Sequence, residues 1–213
     1  MYSLSIVQKI AVYIIPLIFA ITLHEASHAY MAKKYGDNTA QLLGRLSLNP
    51  LNHIDILGTI IFPLLSIAIG GLIFGWAKPV PINFYKLHRP KQDIFWVALA
   101  GPISNFAQAL LWALILKLSF MLNNYFGTPF SMMAQAGIAI NLSLMLLNLL
   151  PILPLDGGRM LYSLLPLKQA NEYAKIEPYG MWILIVLLMV GGVSFIIQPL
   201  FMTLFNFILS LIK

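Results

Sequence analysis

The chain has 213 residues, of which 60% are hydrophobic and only 9% are charged, and its formal net charge is +6. Soluble domains carry about a quarter charged residues, so this composition excludes a soluble globular protein and predicts an integral, multi-pass membrane protein. The absence of cysteine excludes disulfides, a thiol nucleophile and any cysteine-based zinc site.

Length and hydropathy together predict one all-α membrane domain over residues 1–213, with about five transmembrane helices of ~20 residues each. We expect a catalytic core over about residues 5–165 and a C-terminal helical hairpin over about residues 178–212. The prediction adds a re-entrant hairpin and short cytoplasmic β-strands to this bundle.

The first predicted helix covers residues 5–34 and carries the motif His-Glu-Ala-Ser-His. Positions i and i+4 share one face of a helix, so His24 and His28 can reach a single metal ion. Glu25 can face the attacking water without binding the metal. A catalytic zinc site takes three protein ligands and keeps one position open. Histidine pairs also occur without a metal, but ionisable residues at membrane depth favour a functional interpretation.

The stretch after this helix is polar and rich in breakers. Residues 45–48 and 77–82 are candidate strands whose edges could hold an extended peptide, although Pro79 and Pro81 limit the second to an edge position. A simple pair of loops is the alternative. Residues 58–74 are apolar but interrupted by Pro63 and two glycines, which is typical of a segment that enters the membrane and returns.

Further apolar segments follow in order. Helices are predicted over about residues 93–122, with Gly-Pro-Ile-Ser-Asn at 101–105, and over about residues 131–150. Residues 168–175 are polar and amphipathic, and a final hairpin over residues 178–197 and 200–212 turns at Gln198-Pro199. Asn105 beside Gly101 is expected to be a packing or hydrogen-bonding residue between helices.

Five side chains to which the sequence assigns no other role could supply the third metal ligand: Asp156, Asp55, His53, His88 and Asp93. Asp156 is the best candidate because it follows a predicted span directly and precedes two glycines, which let the backbone turn closely. The alternative is that Asp156 only caps the helix that begins near Gly157. His53 and His88 are expected to be ordinary loop histidines.

The charge distribution supports this assignment. If Asp156 meets the two histidines, residues 58–74 must return to the side from which they came. Nearly all basic residues then fall on the side of the motif, and only Lys9 and Lys117 lie toward the other. Cytoplasmic loops carry the excess of lysine and arginine. We therefore expect the active site to face the cytoplasm in a prokaryotic inner membrane, with no role for the basic residues in binding nucleic acid.

Two motifs in this order resemble those of the site-2 protease family of intramembrane zinc metalloproteases: His24-Glu25-x-x-His28, and the stretch from Asn148 through Pro151 and Pro154 to Asp156-Gly157-Gly158-Arg159. The stretches LGRLSLNP, GWAKPVP and GPISN resemble the compact prokaryotic branch without a PDZ domain. The resemblance implies one Zn²⁺ per chain held by His24, His28 and Asp156, with Glu25 as catalytic base. It also implies a membrane-buried asparagine before the proline-rich turn, which here is Asn148 and could donate to the substrate backbone or oxyanion. A hydrogen bond from Asn148 to Asn141 is the alternative.

The expected function is hydrolysis of peptide bonds in single-span membrane proteins, within the lipid bilayer and near its cytoplasmic face. Two alternative functions for the same residues are a metal transporter and a non-catalytic membrane scaffold. A metal transporter would carry further buried carboxylates or histidines along a pathway, and the predicted spans contain almost none. A non-catalytic scaffold would not need the base that Glu25 provides.

Overall fold

The computed structural model describes residues 5–53, 55, 58, 61 and 78–212. The first helix, α1 (Ile6–Lys34), agrees with the predicted segment. Ser5 begins it with a capping box, since its hydroxyl accepts from the N–H of Gln8 and the Gln8 side chain accepts from the N–H of Ser5. Lys33 and Lys34 occupy the last turn, where positive charge interacts favourably with the helix dipole.

A largely irregular region follows α1. It contains the short helix α2 (Thr39–Leu42) and single 3₁₀ turns at Pro50–Asn52 and Phe84–Lys86. No strand is present among the described residues, so the strands predicted at 45–48 and 77–82 are not borne out where the structure describes them, which for the second is residues 78–82. Prolines within the second segment have no N–H to donate to a ladder. Apart from Gly58 and Ile61, the predicted re-entrant segment 58–74 lies outside the described residues and stays a prediction.

The remaining helices are α3 (Pro90–Ser119), α4 (Asn124–Asn148), α5 (Asp156–Leu164), α6 (Leu167–Ala174), α7 (Glu177–Met189) and α8 (Gly192–Ser210). Helix α4 begins earlier than predicted because the side chain of Asn123 accepts from the N–H of Phe126 and caps it there. The final turn lies at Gly191, not at Gln198-Pro199. Gly191 adopts a φ of 73°, which glycine permits, and Pro199 sits inside α8.

Four of the described helices are long and apolar enough to cross a membrane: α1, α3, α4 and α8. Helix α7 is apolar but has only 13 residues. It is therefore about 20 Å long at 1.5 Å per residue, against about 30 Å of hydrocarbon. The described residues thus contain four candidate spans and one shorter apolar helix, against about five predicted spans.

The core of the bundle lies between α3 and α4. Ala109 and Ala113 of α3 pack with Ile138 and Leu142 of α4, and Ile208 of α8 completes this buried cluster. Small residues let helix backbones approach closely where lipid provides no hydrophobic drive for association. Helix α1 packs against both α3 and α4, which places its histidine-bearing face inside the bundle.

Candidate metal centre

The two histidines of α1 lie side by side inside the bundle. His24 and His28 are each 7% exposed. Their Nε2 atoms are 3.0 Å apart. This is the arrangement that the i, i+4 spacing predicts for two side chains on one helix face.

Asp156 lies opposite the histidine pair. Its Oδ2 atom is 3.2 Å from Nε2 of His24, and its Oδ1 atom is 3.3 Å from Nε2 of His28. Asp156 is the first residue of α5, while Leu155 is the N-cap residue and makes no side-chain cap. The interpretation of Asp156 as a helix cap is therefore wrong.

The separations of these atoms fit a metal ion. Four ligands at about 2.0–2.1 Å in a tetrahedron lie about 3.3 Å from one another, and the three observed separations are 3.0, 3.2 and 3.3 Å. The Oδ2 atom of Asp156 is buried and accepts no aligned hydrogen bond from the described residues, despite its closeness to His24. Both carboxylate oxygens of Asp156 thus lie close to the two Nε2 atoms, and the described residues give Oδ2 no aligned hydrogen bond that accounts for its position.

Hydrogen bonds at the far side of each ring fix the tautomers. The Nδ1 atom of His28 is 2.7 Å from the carbonyl oxygen of Val97, which can only accept, so the proton is on Nδ1. Nδ1 of His24 is likewise 2.5 Å from Oδ1 of Asn105. Both Nε2 atoms therefore present lone pairs to the common point, as metal-binding histidines do when their other nitrogen donates to an oxygen.

Helix α3 supplies this support because it comes very close to α1. A Cβ atom at Gly101 would lie 2.4 Å from Nε2 of His28 and 2.6 Å from Nε2 of His24. One turn later, the side-chain amide of Asn105 donates to the carbonyl oxygen of Ala20 at 3.2 Å and to Oδ1 of Asn141 at 2.9 Å. Asn105 is a hydrogen-bonding residue between helices, as predicted. Its bond to His24 was not predicted.

The turn that carries Asp156 is held by the C-terminal helices. A Cβ atom at Gly180 of α7 would overlap the carbonyl oxygen of Leu153 at 1.6 Å, so α7 packs directly on the turn. The hydroxyl of Tyr173 donates to the carbonyl oxygen of Pro151 at 3.0 Å. Burial raises the pKa of Tyr173 above its ordinary value.

Arg159 and Glu177 link α5 to α7 at this same end. Their side chains form an ion pair, and both are partly exposed. The Arg159 guanidinium also lies 5.3 Å from the centre of the Phe84 ring. These contacts place α5, and so Asp156 at its first position, against the C-terminal helices.

Glu25 and Asn148 each have a hydrogen-bond partner outside the group of His24, His28 and Asp156. Oε2 of Glu25 accepts from the backbone N–H of Val80 at 2.8 Å. The amide of Asn148 donates to the carbonyl oxygen of Leu144 in its own helix at 3.0 Å. Asn141 bonds to Asn105 instead, so the alternative pairing of Asn148 with Asn141 is wrong.

The other candidates for a third ligand do not join the centre. Within the described ranges, the one group of three histidine or acidic side chains able to hold a metal is His24, His28 and Asp156. Nε2 of His53 lies 2.8 Å from the carbonyl oxygen of Ser47, and Asp93 accepts from the N–H of Arg89 at 2.7 Å. These two side chains have structural partners elsewhere.

The chain is similar over most of its length to proteins named as zinc metalloproteases. The profile described as Peptidase family M50 matches residues 122–191, which include Asn148 and Asp156. The Bacillus subtilis protein named "Putative zinc metalloprotease YwhC" is 36% identical over 203 residues, which cover 93% of this chain and 88% of that protein. Rip2 of Mycolicibacterium smegmatis, named in the same way, is 30% identical over 83% of this chain and 66% of its own length.

A more distant relative is "Zinc metalloprotease MJ0392" of Methanocaldococcus jannaschii. It is 27% identical over 158 residues, or 74% of this chain and 35% of that protein. No solved structure is significantly similar to the chain.

Proposed function

Because this chain belongs to peptidase family M50 and is a zinc metalloprotease, we propose that it hydrolyses peptide bonds of single-span membrane proteins within the bilayer. The observation that carries this proposal is the convergence of His24, His28 and Asp156 inside a bundle of apolar helices, beside Glu25. The cut lies near the cytoplasmic face.

We assign one zinc ion to the Nε2 atoms of His24 and His28 and the carboxylate of Asp156. When bound, zinc supplies Lewis-acid chemistry that activates water and polarises the scissile carbonyl. Glu25 accepts a proton from the attacking water and returns it to the leaving amine. Asn148 uses one N–H on Leu144, and its second N–H is available for a substrate carbonyl.

The substrate must present an extended peptide, because a transmembrane helix hides its amides in its own hydrogen bonds. The backbone groups of Leu46 and Leu48 make no hydrogen bond to any residue that the structure describes. They border an apolar cleft of about 550 Å³ between α1 and α3. These unpaired groups support substrate capture by backbone pairing, although residues 45–48 do not form a strand in the free enzyme.

The metal centre lies toward the cytoplasm in this proposal. His24 and His28 lie in the C-terminal half of α1 and Asp156 begins α5, and six basic residues of the described ranges lie at or near the end of α1 and the starts of α3 and α5: Lys33, Lys34, Lys86, Arg89, Lys91 and Arg159. Lys117 lies at the opposite end of α3. Cysteines placed at Lys86 and Asn123 test this orientation. A membrane-impermeant thiol reagent should label only position 123 from outside, and labelling of position 86 would reverse it.

Co-expression with a panel of tagged single-span membrane proteins tests the activity itself, with Glu25→Gln as the matched variant. Wild-type protein should cut at least one of them. Glu25→Gln should retain zinc but cut none, since an amide cannot accept the proton. Turnover by Glu25→Gln would place the base elsewhere, and loss of its zinc would make Glu25 a ligand. No cleavage of any member by the wild type would count against this substrate class.

A further inference from the structure

Glu25 is tied to a segment that is distant in sequence. The donor to its Oε2 atom is the backbone N–H of Val80, which is 55 positions away. Val80 stands between Pro79 and Pro81, which have no N–H, so it is the one backbone donor in this triplet. A residue that precedes proline also favours an extended backbone, which limits the directions in which the Val80 N–H can point.

This segment is itself anchored on the N-terminal side of Val80. The guanidinium of Arg45 donates to the carbonyl oxygens of Lys78 at 3.0 Å and Pro79 at 3.4 Å. The N–H of Lys78 donates in turn to the carbonyl oxygen of His53 at 3.1 Å. Arg45 therefore contacts the peptide group that carries the Val80 N–H and the peptide group immediately before it.

The side chain of Val80 holds the segment against α1. Val80 is 7% exposed and packs with Ala29 and Ala40, while Leu46 covers the same cluster. Ala29 lies one turn after Glu25 on α1, so this packing brings the Val80 backbone to the Glu25 carboxylate. The contact thus has apolar packing on one side and the arginine on the other.

We propose that residues 78–81, the Val80 segment, hold the Glu25 carboxylate in its working orientation, and that Arg45 is a positioning residue that acts through this segment. The inference rests on the proposed role of Glu25 as base. Oε2 is occupied by the Val80 N–H, and Oε1 accepts no hydrogen bond from the described residues. Oε1 is then the oxygen that receives the proton of the attacking water.

A fixed donor matters because the terminal torsion of a glutamate is otherwise broad. A hydrogen bond to a carboxylate is roughly twice as strong as a neutral one, so it can select one orientation. Removing a contact of this supporting kind lowers activity by about 10- to 100-fold in metal enzymes. A merely structural link between the loop and α1 would instead lower stability.

Val80→Pro is the direct test because it deletes the donor, and Val80→Ala is its control because it keeps the N–H and loses the packing. With a substrate that the wild type cuts, Val80→Pro should lower kcat about 10- to 100-fold below Val80→Ala with KM little changed. Zinc content should match between the two. Arg45→Ala should lower kcat by about tenfold, and Arg45→Lys should restore part of it because an ammonium can still donate to one carbonyl.

A second measurement does not depend on activity. The chain has seven valines, so ¹⁵N-valine labelling gives few amide signals, and the loss of one in Val80→Ile identifies that of Val80. An amide bonded to a carboxylate is shifted downfield and protected from exchange. Both properties should diminish in Glu25→Ala and, to a smaller degree, in Arg45→Ala. This measurement decides the matter if Val80→Pro does not fold.

The outcomes separate the two proposals. Equal kcat for Val80→Pro and Val80→Ala, with Glu25→Gln inactive, would overturn the positioning inference and leave the base intact. If the chemical shift and exchange protection of the Val80 amide are unchanged in Glu25→Ala, the positioning inference is also overturned. Normal turnover by Glu25→Gln would instead remove the base assignment on which the inference rests.

Discussion

The two sides of the metal centre are built differently. The histidines stand on one long helix, and each ring is oriented by a specific hydrogen bond, from His24 to Asn105 and from His28 to the Val97 carbonyl. Asp156 stands at the start of the short helix α5, after a turn. The backbone of that turn, not the carboxylate, is held by α7 through the close contact of Gly180 with Leu153.

This difference separates metal affinity from stability. On the histidine side, polar groups (the Asn105 side chain and the Val97 carbonyl) bond directly to the two rings and orient them, so changes there should lower zinc affinity first. On the aspartate side, the contacts lie in backbone packing, so changes there should act on the fold first. Four sets of variants test this distinction, in order of expected effect.

Removal of a ligand should abolish zinc binding whichever side the ligand comes from, because the two sides together supply the three ligands of one site. His28→Ala and Asp156→Ala should each reduce zinc from about one per chain to background, measured by elemental analysis of purified protein. His88→Ala is the control, since His88 is exposed and outside the group. Full zinc in Asp156→Ala would show that another residue is the third ligand.

Substitutions at two close-packed glycines, Gly101 and Gly180, should affect different properties: zinc affinity on the histidine side and stability on the aspartate side. In Gly101→Ala the new Cβ meets imidazole nitrogens, so zinc affinity should fall by about 10- to 100-fold, measured by competition with a chelator. In Gly180→Ala it meets a backbone oxygen that cannot move alone. Overpacking of this kind costs about 1–3 kcal/mol, seen in thermal unfolding of the metal-free protein. The reverse pattern would contradict the distinction.

Two asparagines of the same network should differ. Asn105→Ala removes the acceptor of the His24 Nδ1–H, and zinc affinity should fall by about 10-fold or more. Asn141→Ala removes a bond one step farther from the metal. It should lower unfolding stability by about 1 kcal/mol and leave zinc affinity nearly unchanged. Equal losses of affinity would mean that the network acts as a unit.

The smallest effect is expected at Glu177. Glu177→Gln weakens the ion pair with Arg159. The Arg159 side chain is 28% exposed and that of Glu177 is 34% exposed. Pairs this accessible contribute below about 1 kcal/mol, so the melting temperature should fall slightly, and less so at high salt. Zinc content should not change. A large loss of zinc would make this pair part of the metal centre.

The metal centre was largely predictable because its residues carry their own signals. The i, i+4 histidines fix a shared helix face, and the glycines after Asp156 mark a close turn at the end of a span. The extent of α1 was likewise predictable from its apolar run and its terminal lysines. All three ligand atoms lie together in the structure as expected.

The supporting contacts were not predictable because they depend on how helices rotate against each other. The hydrophobic pattern of α3 does not show that Asn105 faces His24, although polar residues at membrane depth, such as Asn105 and Asn141, are expected to find buried partners. Val80 contributes a backbone N–H, which leaves no side-chain signal. The final turn was misplaced because Pro199 looked like the stronger breaker, whereas the positive φ at Gly191 was decisive.

The shortness of α7 has a consequence for the surrounding lipid. A 13-residue helix beside full-length neighbours leaves about 10 Å of hydrocarbon unmatched. Local thinning of the bilayer is one of the responses to such a deficit. Because α7 packs on the turn that precedes Asp156, the thinned patch would lie against the metal centre. The headgroup layer, with its water, would then come nearer to His24, His28 and Asp156.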